Sequence, residues 1–323
     1  MNSIQPVRIA VVGAGTVGAS FAYALLLHGL ATQIVLIDQD HARAEGEAMD
    51  LQYTVPFAHP TEVRAGTLQD ARGAAITVIC AGLRQQNGHP SAELLRRNAA
   101  MLKEVVPQVA EVNPQGLILV ATQPVDVLTY GAWQLSGLPR HQIMGAGTLL
   151  DTGRFRYLLG RHLQIDPHDM DAFILGGQGE LMFPVWSSAT VAGLPVTEIC
   201  ASHGCAPAAL DEFFAKTRDA SKALLERKGS SGYAIGAALV RLVASILRDE
   251  KRIFSVSSVL QEEYGLSGVA LSVPTVVGRR GVERILKADL DDLEVAELLA
   301  AGRKTQEWIH DACFVVEPRS KAS

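Results

Sequence analysis

Gly13-Ala14-Gly15-Thr16-Val17-Gly18 decides the fold, read with the apolar run Ile9-Ala10-Val11-Val12 before it and Asp38 after it. The apolar run is short and bounded by turn residues, which suits a strand buried on both faces. Gly13 allows the tight turn out of that strand, Gly15 lets backbone approach a pyrophosphate, and Gly18 lets the next helix pack closely on the sheet. The N-terminus of that helix, expected over residues 19–30, favours phosphate charge. A glycine triplet alone is a weak signal, because triplets also occur in ordinary turns. Here it follows a strand and opens a helix, and an acid lies 20 residues after Gly18, at the end of a second strand over residues 33–37. Asp38 is placed to accept hydrogen bonds from ribose hydroxyls and to repel a 2′-phosphate, so the expected cofactor is NAD rather than NADP.

Outward from this unit the alternation continues. Residues 75–80 and 117–121 are apolar, partly β-branched runs, and residues 92–112 between them carry apolar side chains at helical spacing. Such repetition calls for an α/β fold built on a Rossmann doubly wound parallel sheet. The second half has a different texture. Residues 173–175 and 189–192 suit strands, while 207–227, 233–248 and 291–312 suit long amphipathic helices. Residues 253–259 and 269–273 suit a hairpin or meander joined through Gly265 and Gly268. The expected organisation is a cofactor-binding Rossmann domain over residues 1–148, then a mixed α+β domain over residues 149–323.

Composition narrows the class further. The chain has 323 residues, 48% hydrophobic and 20% charged, which excludes a disordered chain and suffices for a large core. With 29 basic against 34 acidic residues the formal charge is -5, which points to no nucleic-acid or anionic-membrane partner. The short polar N-terminus lacks a charged n-region and cleavage site, and no apolar stretch reaches a membrane span, so a cytoplasmic protein is expected. Four cysteines (Cys80, Cys200, Cys205 and Cys313) are too few and too irregular for a disulfide framework, and a reduced compartment is the plain reading. No metal is expected: Asp166-Pro167-His168-Asp169-Met170-Asp171 reads as a surface turn, with no second cluster to complete a site.

Several motifs, in order along nearly the whole chain, resemble the L-lactate dehydrogenase branch of the lactate/malate dehydrogenase family. They are the glycine turn, Leu36-Ile37-Asp38, Gly46-Glu47-Ala48-Met49-Asp50-Leu51, Pro124-Val125-Asp126-Val127-Leu128-Thr129-Tyr130, Leu150-Asp151-Thr152-Gly153-Arg154-Phe155-Arg156 and Pro184-Val185-Trp186-Ser187. The resemblance implies hydride transfer between NAD and a small carboxylate-bearing 2-hydroxy or 2-oxo acid, in a homodimer or homotetramer. It also implies cofactor contacts at Gly13, Gly15, Thr16, Val17, Gly18, Asp38, Ala81, Gly82 and Gln123. Arg154 matches the arginine that clamps the substrate carboxylate, and Asp151 the acid that orients a catalytic histidine.

That histidine is missing. Where the family has Gly-Glu-His-Gly-Asp-Ser, this chain reads Gly176-Gly177-Gln178-Gly179-Glu180-Leu181, and an amide at Gln178 does not exchange protons near neutral pH. The resemblance also implies that residues 149–323 form the substrate and catalytic domain and that a mobile loop lies at about 83–94; in its stretch Leu83-Arg84-Gln85-Gln86-Asn87-Gly88-His89-Pro90-Ser91, Ser91 stands where the family has its polarising arginine. Gln85 occupies the substrate-discriminating position and is of the lactate type. Gln123 replaces an asparagine that positions substrate and nicotinamide, and Ser231 falls at a family threonine. General acid–base catalysis is worth about 10²–10⁴-fold, and one electrostatic donor about 10²–10³-fold. The expectation is a divergent NAD-dependent oxidoreductase and an inefficient L-lactate dehydrogenase.

Other residues carry plainer readings. His89 and Arg84 read as solvated loop side chains, Cys80 as a small core residue, and Glu180 as a poor substitute acid. Leu181, Met182 and Phe183 suit either the core or the active site. Three functions are open at this level: a dehydrogenase for an imine or a secondary metabolite, an enzyme using NAD for a non-redox net reaction, and an NAD-binding pseudoenzyme. The protein is expected to bind NADH more tightly than NADPH by calorimetry, and Asp38→Ala to narrow that preference; equal affinities in the parent would refute the role of Asp38.

Overall fold

The computed structural model describes residues 7–83, 92–229 and 231–314. The loop positions Arg84, Gln85, His89 and Ser91 lie outside them. The first half runs β1 (Arg8–Val12), α1 (Thr16–Leu27), β2 (Gln33–Ile37), α2 (His41–Thr54), β3 (Glu62–Gly66) and β4 (Ile76–Ile79), then α3 (Ala92–Val112), β5 (Leu117–Val120), α4 (Val125–Ser136) and β6 (Ile143–Gly145). These six strands pair in parallel in the order β3-β2-β1-β4-β5-β6. This is the doubly wound order, and the ligand crevice of such a sheet lies where the order reverses, beside β1 and β4.

The second half runs α5 (Leu149–Leu163), β7 (Met170–Asp171), β8 (Ile174–Gly176), β9 (Met182–Pro184), β10 (Thr190–Val191), β11 (Leu194–Pro195), α6 (Val196–Ser202) and α7 (Pro207–Lys228). It continues with α8 (Tyr233–Leu247), β12 (Arg252–Gln261), β13 (Ser267–Gly278), β14 (Gly281–Ile285) and α9 (Asp292–Asp311). β12 and β13 form the expected hairpin, longer than the apolar runs suggest. Its strands extend the first sheet: β12 pairs with β6 at Ser257 and Gly145, and β13, β8 and β9 follow antiparallel. One sheet therefore crosses the expected boundary. The contact requires glycine, because a Cβ on Gly145 would lie 2.2 Å from Thr129 Oγ1 and 2.9 Å from Ser257 Cβ.

Apolar side chains close both faces. Leu102, Val106, Leu128, Leu298 and Ile309 cover one face from α3, α4 and α9. Phe21, Leu25, Leu239 and Val243 cover the other from α1 and α8. A separate cluster of Phe155, Leu159, Cys200 and Phe213 joins α5, α6 and α7.

Among the elements that escape the apolar-run reading are α2, whose Asp40 side chain caps it by accepting from the Arg43 N–H, and the edge strand β3 with its mixed Glu-Val-Arg-Ala-Gly pattern. α1 begins earlier than its apolar stripe, at Thr16, because Gly15 is already its N-cap. Gly18 then packs so closely that a Cβ there would lie 1.9 Å from the Gly13 carbonyl oxygen. Gly18→Ala should therefore lower the melting temperature and weaken NADH binding together, checked by thermal denaturation with and without NADH. Unchanged values in both would refute this packing role.

Candidate active site

The glycine turn is closed by hydrogen bonds from both sides. Gly13 N–H donates to the Ile37 carbonyl at 2.7 Å, and Ala81 N–H donates to the Val12 carbonyl at 2.8 Å. Asp38 then folds back on the turn: its Oδ2 accepts from Ala14 N–H at 2.7 Å, and its Oδ1 accepts from Asp40 N–H at 3.0 Å. A Cβ on Gly13 would lie 2.3 Å from the Ala81 nitrogen, so Ala81-Gly82 is pressed against the turn. A Cβ on Gly15 would meet nothing within 4 Å, and among the described residues no side chain caps the N–H groups at the start of α1, where Thr16 and Val17 stand. Open space beside uncapped helix amides fits a pyrophosphate. At Gly232 a Cβ would touch Ser20 Oγ and lie 3.0 Å from Thr16 Cγ2, so the chain at Ser231-Gly232 passes beside the start of α1.

Asn98, on α3, ties the neighbouring loops together. Its Oδ1 accepts from Leu83 N–H at 2.7 Å, and its Nδ2 donates to the carbonyls of Leu83 at 2.9 Å and Gln123 at 2.7 Å. The start of the loop and Gln123, at the entrance of α4, are thus fixed to one amide. Nothing in helical periodicity marks Asn98 as more than one buried polar residue among apolar ones.

The acid–arginine pair is built at the start of α5. Asp151 lies in its first turn, and Arg154 Nη1 donates both to Asp151 Oδ1 at 3.0 Å and to Ser221 Oγ, from α7, at 2.9 Å. Burial pushes the Asp151 pKa up, against the pull of Arg154. Arg154 Nη2 is buried and has no hydrogen-bond partner among the described residues. Two threonines of the same helix entrance bind the strand that carries Gln178. Thr148 Oγ1 donates to the Ile174 carbonyl, and Ile174 N–H donates to Thr152 Oγ1 at 3.0 Å.

Gln178 stands just past β8. Its Nε2 donates to the Gly147 carbonyl at 3.0 Å, which fixes the orientation of the amide, and its Oε1 is buried without a partner among the described residues. Asp126 lies behind it, buried on α4, accepting from Gln178 N–H at 3.2 Å and from Ser272 Oγ at 3.4 Å. Ser272 Oγ in turn accepts from Thr148 N–H at 3.0 Å. Burial raises the Asp126 pKa to about 6 against the opposing bonds from the Gln178 N–H and Ser272 Oγ. In the sequence Asp126 is one residue of a motif; only its position under Gln178 gives it a role.

Several plainer readings can be placed. Glu180 is exposed, whereas Met182 and Phe183 are buried in core clusters. Leu181 packs against the larger core. His168 is exposed and bonds to Asp166 in a surface turn. The Cys80 thiol has its pKa pushed up to about 12 by burial. One expectation is corrected: Cys200 and Cys205 are joined in a disulfide. The spacing gives no sign of it, but the turn after α6 brings the two Cα atoms to 5.0 Å.

The sheet order and the phosphate turn define the class, a dinucleotide-binding Rossmann protein. Residues 7–145 match the lactate/malate dehydrogenase NAD binding domain, and residues 148–312 the alpha/beta C-terminal domain of the same family. The chain belongs to the lactate/malate dehydrogenase family. It is 40% identical over 312 residues to the L-lactate dehydrogenase of Acetivibrio thermocellus, covering 96% of this chain and 98% of that one. It is 42% identical over 289 residues to that of Geobacillus thermodenitrificans, covering 89% and 91%. The crystal structure of the minor L-lactate dehydrogenase from Enterococcus mundtii in its ligands-bound form superimposes with a TM-score of 0.92 at 32% identity, over 97% of this chain and 99% of that one. A lactate dehydrogenase from a Medee basin deep-sea metagenome library gives 0.91 at 36% identity, over 96% and 99%.

Asp126 makes stability depend on pH. Its folded pKa of about 6 exceeds the unfolded value of about 3.9, so its contribution is full below the latter and is lost as pH rises through about 6. Asp126→Asn keeps an oxygen for the Gln178 N–H and should stabilise the protein near pH 8 by about 1–3 kcal/mol relative to its effect near pH 4. Urea denaturation of both proteins at the two pH values checks this, and a difference that does not change with pH would refute it.

Proposed function

We propose that this dehydrogenase acts on a carboxylate-bearing substrate whose reacting centre presents a hydrogen-bond donor, an imine of a 2-oxo acid in the reductive direction. The observation behind this reading is the polarity of Gln178. With Nε2 committed to Gly147, the buried Oε1 is an acceptor in need of a donor. A buried polar group left unpaired costs about 1–3 kcal/mol, which a suitable ligand relieves. Arg154 Nη2 has the opposite need, and a substrate carboxylate satisfies it. An iminium acid presents both groups, an N–H donor and a carboxylate. A 2-oxo acid would set its carbonyl oxygen against the oxygen of Gln178.

The residues then have simple tasks. Arg154, held by Asp151 and Ser221, anchors the carboxylate, while Gln178 Oε1 accepts the iminium N–H and orients the carbon. Bound NADH supplies the hydride. The iminium already carries its proton and positive charge, so neither a proton-donating histidine nor a polarising arginine is required, in agreement with Gln178 and Ser91 at those positions. We assign the cofactor role to Gly13, Gly15, Thr16, Val17, Gly18, Asp38, Ala81, Gly82 and Gln123, and substrate selection to Gln85, Ser91 and Ser231. The division at residues 148 and 149 separates cofactor-binding from catalytic parts. Exposed Tyr53 and Phe57, at the end of α2 and just past it, support a homo-oligomer. No described helix is long and apolar enough to cross a membrane.

Nicotinamide absorbance with 2-oxo acids, with and without ammonium or primary amines, tests the reading. Turnover is expected when an amine is supplied, with pyruvate alone slow; equal rates with and without amine would refute it. NADH binding with no turnover under either condition would favour the non-redox or pseudoenzyme reading. Gln178→His combined with Ser91→Arg and Gln123→Asn should raise pyruvate reduction by at least about 10²-fold.

A further inference from the structure

Away from this site, His162, Cys200 and Cys205 bring one imidazole nitrogen and two sulfurs within 4.8 Å of one another. His162 is in the last turn of α5, Cys200 is on α6, and Cys205 lies in the turn that follows. We propose that these three residues form a zinc site that opens when the Cys200–Cys205 disulfide is reduced.

The backbone holds the ligands together independently of the sulfur–sulfur bond. Cys205 N–H donates to the Cys200 carbonyl at 2.9 Å, and His203 N–H to the Ile199 carbonyl at 3.1 Å, closing the turn. The two cysteines therefore remain neighbours after reduction, at a C-x₄-C spacing common among zinc ligands. His162 is set by its contact with Phe213, with ring centroids 4.9 Å apart, and has no hydrogen bond to give up among the described residues. Tetrahedral zinc with bonds of about 2.0–2.3 Å needs ligand atoms about 3.5–3.8 Å apart, so the two sulfurs part from bonding distance while the imidazole closes in from a separation within 4.8 Å. Two thiolates and an imidazole suit zinc better than a hard cation, and the thiolate charges cancel that of the ion. Cys200 is buried and Cys205 half-buried, while His162 is exposed and leaves the fourth position to water.

Opening the site consumes two electrons and two protons from a dithiol reductant, giving two thiols; zinc binding then displaces both thiol protons. In a reducing compartment the dithiol is the resting form. Zinc would pin α5 to the turn after α6. α5 carries Asp151 and Arg154 at its other end, so the site braces the helix that positions them.

The test uses the full-length protein, oxidised or reduced with a phosphine that is removed before titration. Under denaturing conditions the free thiols should rise from two, Cys80 and Cys313, to four. The reduced protein should bind one zinc per chain, measured by competition with a chromophoric chelator, and cobalt should give thiolate charge-transfer absorption and tetrahedral ligand-field bands. The oxidised protein should bind none. His162→Gln, at an exposed position, should weaken zinc by at least about tenfold while leaving the disulfide and NADH affinity unchanged. Cys205→Ser should abolish the cobalt charge-transfer band, and Cys313→Ser should leave it unchanged. No stoichiometric binding to the reduced chain, equal binding to the oxidised chain, or full affinity in His162→Gln would overturn the proposal.

Discussion

The segment from Gly145 to Thr148 is the constraint on which the rest of the molecule depends. Gly145 ends the parallel sheet and, lacking a Cβ, lets β12 join it at Ser257. Gly147 offers its carbonyl to Gln178, and Thr148 reaches both Ser272 and Ile174. Four residues thus connect the cofactor sheet, the hairpin, the strand leading to Gln178 and the helix bearing Asp151 and Arg154. A shift of this segment would displace all of these parts at once.

Hydrogen-bond polarity is the second theme. Most buried polar atoms in a folded protein find partners, so the exceptions are informative. Arg154 Nη2 and Gln178 Oε1 are two of the few exceptions among the described residues, and they are of opposite kinds, a donor and an acceptor. Asp126 and Ser272 hold the backbone at Gln178, while Asp151 and Ser221 hold Arg154 by its other nitrogen. The supporting bonds are satisfied, and the two atoms left over have opposite hydrogen-bonding needs. A histidine at position 178 would offer a ring that both donates and accepts protons; an amide fixed by Gly147 offers only its oxygen.

The long helices α3, α7, α8 and α9 are present close to their expected limits, and the strands β12 and β13 form a hairpin that outruns the apolar segments expected for it. α2, β3 and the three-residue β6 lack a clear apolar period and were not legible in that way. Asn98, Ser221, Asp126 and Ser272 carry no motif of their own. Asn98 lies 25 residues from the carbonyl it binds at Gln123, Ser221 67 residues from Arg154, and Ser272 146 residues from Asp126. Interactions over such separations leave no periodic trace in a single chain. The Cys200–Cys205 pair is local, yet it too depends on how the turn after α6 closes.

The sequence by itself determined the parallel sheet, the glycine turn with Asp38, and the identities of the residues at 151, 154 and 178. Those features follow from hydrophobic period, from the sterics of glycine and from residue chemistry at fixed spacing, all of which are local properties. Only the tertiary structure decided that the sheet runs on past β6, that Gln178 directs its oxygen and not its nitrogen away from Gly147, and that Asp126 sits beneath it. These depend on which distant groups meet in the core, where the cost of an unpaired polar atom selects one arrangement over the others.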